Sequence, residues 1–447
     1  MDVYKRALRA VIATVCACCA VAGIGLAAVP GLALAKVTCG LITGSGSTLQ
    51  SEQQELWIEE VKNNKVISGG EANECIAAAP VIEYNLTTGT GSGQGLEEFG
   101  VNAAKELLPA LSSNKTTLDA FVGSDDPPTL AQMTEMKTAS ESEPLVVPVV
   151  AAPVAIIVHL PAACSLTGLA QVSNLHLEEI FAGLEVSWAT LLGSAVSGTG
   201  CTGIPMVDVR SDSSGTSFAL KQYLCQVEPI EWSPTTLVCE SGEGFVTDSA
   251  TWPKLVLEVL LKHLTKGTEE PELENKGSGG EAEAVELEAG SIGYVNLANA
   301  KGFKLSATGE TLFWLNVEEN NSSKFADPLE TGEQGHCPTA FTFPTGTEAE
   351  AKESMWDKIH LAKFGQENAY PICTFTYAIT WEKFLTTKLE LSTNYNGAVP
   401  AEELANTTRA YFEFITKTGQ GLIATDYTKS PANVDTIAEV IAEKITP

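Results

Sequence analysis

Residues Pro144–Leu160 read Pro-Leu-Val-Val-Pro-Val-Val-Ala-Ala-Pro-Val-Ala-Ile-Ile-Val-His-Leu, an apolar run that opens on proline and is broken by it twice more. The prolines exclude a membrane helix, and the β-branched residues without alternation indicate a strand buried on both faces. A second run, Tyr370-Pro-Ile-Cys-Thr-Phe-Thr-Tyr-Ala-Ile379, has the same character near the far end. Shorter β-branched runs alternate with helical patterns elsewhere, which predicts an α/β architecture. Two long buried strands that join two lobes would form a two-strand hinge, with a ligand cleft between the lobes. The expected division is 36–147 and 373–447 for lobe I and 148–372 for lobe II. Insertions are expected near 266–286, read as exposed, and near 318–347, read as irregular.

Polar segments follow several of the predicted strands. Lys36–Leu41 reads as a strand that leads into Thr43-Gly-Ser-Gly-Ser-Thr-Leu49 and a helix over Glu52–Asn63. Val81–Leu86 leads into Thr88-Gly-Thr-Gly-Ser-Gly-Gln-Gly95 and a helix over Leu96–Leu107. Ala120–Asp125 ends in a third polar loop. Open parallel sheets bind ligands beyond such strand ends. The most informative loop is Arg210-Ser-Asp-Ser-Ser-Gly-Thr-Ser-Phe218, which runs into the amphipathic segment Ala219–Leu224. It sets a guanidinium, several hydroxyls and a glycine at a helix start, where free N–H groups and the helix dipole favour an oxyanion. Any one such loop is usually a turn; three with one arginine predict a small-anion site.

Charge narrows the partner. A net charge of −29 leaves no basic stripe for nucleic acid and no long-range steering of anions. An anion site must work through local dipoles, hydrogen bonds and Arg210. Lys5, Arg6 and Arg9 precede an apolar run from Val11 to Ala35 ending Ala-Leu-Ala. That pattern predicts a signal peptide over 1–35 and export to the periplasm, cell surface or medium, although an uncleaved anchor or a lipidated leader also fits. Three of the 11 cysteines lie in this leader. The other eight suggest disulfides, expected as Cys39–Cys75, Cys164–Cys201, Cys225–Cys239 and Cys337–Cys373. No metal or cofactor is expected, and the five histidines are scattered and read as structural.

Taken together, these segments resemble the phosphate-binding proteins of phosphate ABC importers. The likeness runs in order through Gly44–Thr48, Gly89–Gly95, Gly123-Ser-Asp-Asp-Pro127, Leu177–Gly183 with Trp188, Arg210–Phe218, Gly290–Val295, Tyr370–Ile372, and Lys417–Gly419 with Asp426-Tyr427. It implies a two-lobe periplasmic-binding-protein fold closing on one dehydrated phosphate, a monomer, and delivery to the membrane subunits of an importer. It further implies donors from Thr48 and Leu49 in the first loop, Ser92 in the second, and Ser214, Gly215 and Thr216 in the third. Ser47 would support the first loop. Arg210 would make the charge-assisted contact, oriented by Asp212. Asp125 would accept the proton that phosphate carries and sulfate lacks. Leu49 stands where the family commonly has an aromatic, and Asp126 adds an acid expected to face solvent. Competing readings are another tetrahedral oxyanion, a surface or adhesion protein reusing the fold, and a phosphomonoesterase using Ser214. The last lacks a visible base or metal cluster.

Overall fold

The structure, a computed structural model, describes residues 35–64, 66–68, 73–76, 82–85, 91–101, 118–227, 252, 277–304, 307–319, 323–329, 337–339, 341–343, 356–359, 361, 369–386, 389 and 399–447. The predicted leader, apart from Ala35, lies outside them. The strands of the central sheet are, in chain order, β1 (Ile42–Gly46), β2 (Ile82–Tyr84), β3 (Phe121–Ser124), β4 (Pro144–His159), β5 (Met206–Val207), β6 (Ser291–Asn296), β7 (Leu312–Trp314) and β8 (Cys373–Trp381). The helices that matter for the site are α1 (Ser51–Asn64), α2 (Ser92–Glu98), α3 (Gly215–Val227), α4 (Gly277–Leu287), α5 (Ala401–Thr416) and α6 (Ala432–Ala442).

Spatial order across the eight-stranded sheet is β5-β6-β4-β8-β3-β1-β2, with β7 also paired to β4. The two apolar runs are thus adjacent central strands. β4 is buried along its first 15 residues, as its unbroken hydrophobicity requires. Its halves have different partners: Pro144–Pro153 pairs with β8, and Val154–His159 with β6. Pro148 and Pro153 fall in the first half, whose other side carries, among the described residues, the isolated bridge from Ala151 to Thr428. A proline there leaves no ladder bond unmade. The β4–β8 register slips between Thr376 and Tyr377, skipping Val149. The Val149 carbonyl accepts instead from Gln420 Nε2 at 2.7 Å.

Local signals explain the shorter elements. α1 buries Trp57, Ile58 and Val61 on one face. The short helix Leu130–Ser140 begins with a capping box between Thr129 and Gln132. α5 and α6 pack on the first half of the sheet and contribute Tyr411, Phe412, Ile415, Val434 and Ile441 to the core. Lys36–Pro447 forms one compact unit. No helix among the described residues is long and apolar enough to cross a membrane.

Several expectations need correction. The predicted strand Lys36–Leu41 is extended only over Ala35–Val37, in a separate three-stranded sheet, and the first strand of the central sheet is Ile42–Gly46, so the polar loop is itself the end of that strand. The second glycine loop opens directly into α2 at Ser92 rather than at Leu96, because Gly91 and Ser92 supply the first turn. The stretch 266–286 is not wholly exposed: Gly277–Leu287 is helical and buries Gly277, Ser278, Glu281 and Val285. Within 318–347, Asn316–Glu318 pairs with Phe325–Ala326 and with Gln171–Val172, while Cys337 and Phe341 are buried. Asp126 is buried rather than solvent-facing. Disulfides join Cys164 to Cys201 and Cys337 to Cys373, as expected. Cys39 and Cys225 are also disulfide-bonded; the side chains of Cys75 and Cys239 lie outside the described residues.

Candidate anion site

The sheet brings the ends of β1 and β3 together as parallel neighbours, pairing Gly46 with Gly123. Gly46 has φ +108°, and a Cβ there would lie 2.3 Å from the Gly123 carbonyl oxygen. Only glycine permits that turn, which lets the Ser47 N–H donate to the Gly123 carbonyl at 2.8 Å. Ser47 Oγ then reaches Asp125 and donates to its Oδ1 at 2.6 Å. Thr376 Oγ1, from β8, donates to the same oxygen at 2.7 Å. Asp125 Oδ2 lies 3.3 Å from Ser92 Oγ, and that hydroxyl accepts the N–H groups of Asp125 and Gly215 at 3.1 and 3.2 Å. The starts of α2 and α3 therefore meet at one carboxylate.

A second cluster forms around Arg210. Its Nε and one terminal nitrogen donate to separate oxygens of Asp212, in the bidentate arrangement that a guanidinium favours. The other terminal nitrogen lies 3.4 Å from Ser278 Oγ at the start of α4. The Gly277 N–H approaches Asp212 at 3.4 Å, and the Ser278 N–H donates to Thr48 Oγ1 at 3.2 Å. Asn296 Nδ2 donates to the carbonyls of Thr48 and Leu49 at 3.3 and 3.1 Å. The Arg210 N–H and Trp252 Nε1 both donate to the Tyr294 hydroxyl. With both of these N–H groups pointing at its oxygen, Tyr294 turns its proton to Ser217 Oγ and so fixes the start of α3.

Of the residues predicted for the site, Thr48 and Asp212 are half-buried and the others are buried. Asp125 is 1% exposed and Arg210 3%, and Ser47, Leu49, Ser92, Ser214, Gly215 and Thr216 are buried as well. Ser214 caps α3, its Oγ accepting from the Ser217 N–H at 3.3 Å and leaving its own proton to donate outward. Leu49 offers its N–H to Ser47 Oγ at 3.0 Å. Residues 86–90 of the second loop lie outside the described residues.

Electrostatics follow from this burial. Desolvation raises the pKa of Asp125 above the ordinary carboxylate value. Hydrogen bonds from Ser47 and Thr376, the charge of Arg210, and Ser92 pull it back. Burial alone would lower Arg210, but the hydrogen bonds and charge of Asp212 more than offset that and leave it raised. Glu281 on α4 is pushed far up by desolvation and then by Asp208. Asp208 is raised to about 7 by desolvation and by Glu288. Sequence reasoning missed Thr376, Ser278, Asp208 and Glu281, and it singled out Gly290–Val295 without giving Tyr294 a role. A signal existed for one of them: Gly277-Ser-Gly-Gly280 is a fourth Gly/Ser run opening a helix. The described residues contain no cluster of three or more His, Cys, Asp or Glu suited to a metal.

This fold is the two-lobe α/β architecture of solute-binding proteins, and residues 35–416 match the PBP superfamily domain. The chain belongs to that superfamily. It is 24% identical over 385 residues to the phosphate-binding protein PstS of Methanocaldococcus jannaschii, covering 85% of this chain and 79% of the relative. A crystal structure of a phosphate-binding protein from Stenotrophomonas maltophilia superposes with a TM-score of 0.55 at 18% identity, covering 90% of this chain and 93% of that one. The high-affinity periplasmic phosphate-binding protein PfluDING, solved with phosphate at pH 8.5, gives 0.53 at 18% identity, covering 89% and 92%.

Proposed function

We propose that this chain is an exported solute-binding protein that holds one inorganic phosphate and delivers it to the membrane subunits of an ABC importer. The observation that carries this reading is the placement of Asp125. A buried carboxylate lies among the hydroxyls of Ser47 and Ser92, the start of α3 and the charge of Arg210. Buried anionic acceptors repel anions, so the arrangement suits a ligand that is both negative and a proton donor. Monohydrogen and dihydrogen phosphate meet both conditions, and sulfate does not.

Thr48, Ser92, Ser214 and Thr216 would donate to the phosphate oxygens from three directions, with Arg210 adding charge; the N–H groups of Leu49 and Gly215, which the resemblance also implies as donors, go to Ser47 Oγ and Ser92 Oγ in this structure. The lobes would be 36–147 with 373–447, and 148–372. The contacts of Thr48 with Ser278 and of Leu49 with Asn296 would close one against the other. Use of the Ser214 hydroxyl as a helix cap supports binding over nucleophilic catalysis. The names of the relatives, a phosphate-binding protein and a periplasmic phosphate-binding protein, support phosphate and export. Calorimetric titration of protein stripped by unfolding and refolding tests the reading: one-to-one phosphate binding undiminished by excess sulfate is expected. Absence of heat and of thermal stabilisation with phosphate would overturn it.

A further inference from the structure

We propose that Thr376 is a positioning residue that fixes Asp125 as an acceptor toward the ligand and thereby sets selectivity for a protonated oxyanion. This rests on the phosphate reading. β8 pairs antiparallel with β3 so that Tyr377 faces Ser124. The residues next along each strand, Thr376 and Asp125, then meet, with Oγ1 2.7 Å from Oδ1.

The direction of that hydrogen bond is set from behind. Gln50 Nε2 lies 2.9 Å from the Tyr377 carbonyl oxygen, which can only accept, so the amide nitrogen of Gln50 faces β8. The same nitrogen lies 2.8 Å from Thr376 Oγ1 and donates to it. Gln50 Oε1 accepts from Gln54 Nε2 at 2.8 Å, and Gln54 Oε1 accepts from the Tyr411 hydroxyl at 2.5 Å, which locks both amides. Thr376 therefore gives its one proton to Asp125. Ser47 gives a second proton to the same oxygen. Oδ1 is thereby held by two donors from the protein, and Oδ2 is left beside Ser92 and Gly215, facing the starts of α2 and α3.

Two hydroxyl donors stabilise the ionised form of a desolvated carboxylate. Without one of them, Asp125 takes a proton more readily and turns into a donor. An Asp125 that donates no longer discriminates against sulfate.

The test measures phosphate and sulfate affinities, from pH 5 to 9, for the parent protein and for Thr376→Val and Thr376→Ser. Thr376→Val should narrow the phosphate-to-sulfate ratio by about 10- to 100-fold. Most of that change should come from phosphate, and the acid limb of phosphate binding should move to higher pH. Thr376→Ser, which keeps the hydroxyl, should restore both. Equal losses for the two anions, an unchanged ratio, or failure of serine to rescue would overturn the inference. If Thr376→Val does not fold, Thr376→Ala reads the same ratio. Failure of the parent protein to bind phosphate would remove the reading beneath it, a result distinct from a parent that binds and variants that match it.

Discussion

Arg210 and Asp212, two residues apart, face each other through two parallel N–H···O contacts in a pair whose side chains are 1% and 8% exposed. The pairing uses the Nε–H and one N–H of a terminal nitrogen, which leaves the second N–H of that nitrogen and both N–H groups of the other, near Ser278, for a ligand. Asp212 thus acts as a brace: it fixes the guanidinium plane and keeps it fully protonated.

Removing either partner should be costly in different ways. Arg210→Ala leaves Asp212 buried without its cation and should lower phosphate affinity by about 10³-fold or more. Asp212→Asn keeps one acceptor and the shape of the loop, and should cost roughly 10- to 100-fold. Calorimetric titration of both variants checks the order. An Asp212→Asn variant that loses more affinity than Arg210→Ala would contradict the brace.

Asp125→Asn should separate recognition of the proton from recognition of the charge. The amide cannot accept as an anion, but it no longer repels a fully ionised ligand. Sulfate affinity should rise while phosphate affinity falls, together removing much of a discrimination that polar sites can carry to about 10⁴–10⁵. Competition titrations with both anions read the ratio directly.

Gly215 gives a steric test of the same pocket. A Cβ on it would lie 2.5 Å from Ser92 Oγ and 2.7 Å from Asp125 Oδ2. Both side chains would have to move, although alanine is a good residue for the first turn of α3. Gly215→Ala should therefore lower phosphate affinity about 100-fold, with a much smaller change in thermal stability. Thermal melts run beside the titrations distinguish this from general unfolding.

Much of this architecture was legible because its physical signature is continuous in sequence. The buried central strands appear as apolar runs, and the prolines of β4 fall in the half that pairs with β8. The anion loops appear as Gly/Ser runs at helix starts, and the spacing of Arg210 and Asp212 already suggests a brace. What escaped was side-chain direction within those elements. Thr376 is one of three threonines in a buried strand, and only the register with β3 turns it toward Asp125. Composition also misled: the Glu-rich character of 266–286 suggests a solvated segment, yet Gly277, Ser278, Glu281 and Val285 recur at helical spacing on the buried face of α4. A carboxyl on that face is the kind of local conflict that a sequence pattern tends to read as surface.

That conflict predicts how stability responds to pH. Asp208 and Glu281 flank Gly293, where a Cβ would lie 2.8 Å from Glu281 Oε1 and 3.6 Å from Asp208 Cβ. Burial raises Asp208 to about 7, with Glu288 adding and Ser291 opposing. An unfolded aspartate ionises near pH 4, so between roughly pH 4 and 7 the folded chain keeps a proton that the unfolded chain releases. Stability contributed by this group is therefore highest at low pH and falls as pH rises through that window; Glu281, raised in the same direction, adds to the trend. Asp208→Asn removes the carboxyl without removing its volume. The variant and parent should melt together near pH 4, and the variant should melt higher at pH 8, by no more than about 4 kcal/mol of stability. Thermal melts across that range check the sign. A variant less stable than the parent at pH 8 would mean that Asp208 is held there as a carboxylate, paired with a cation.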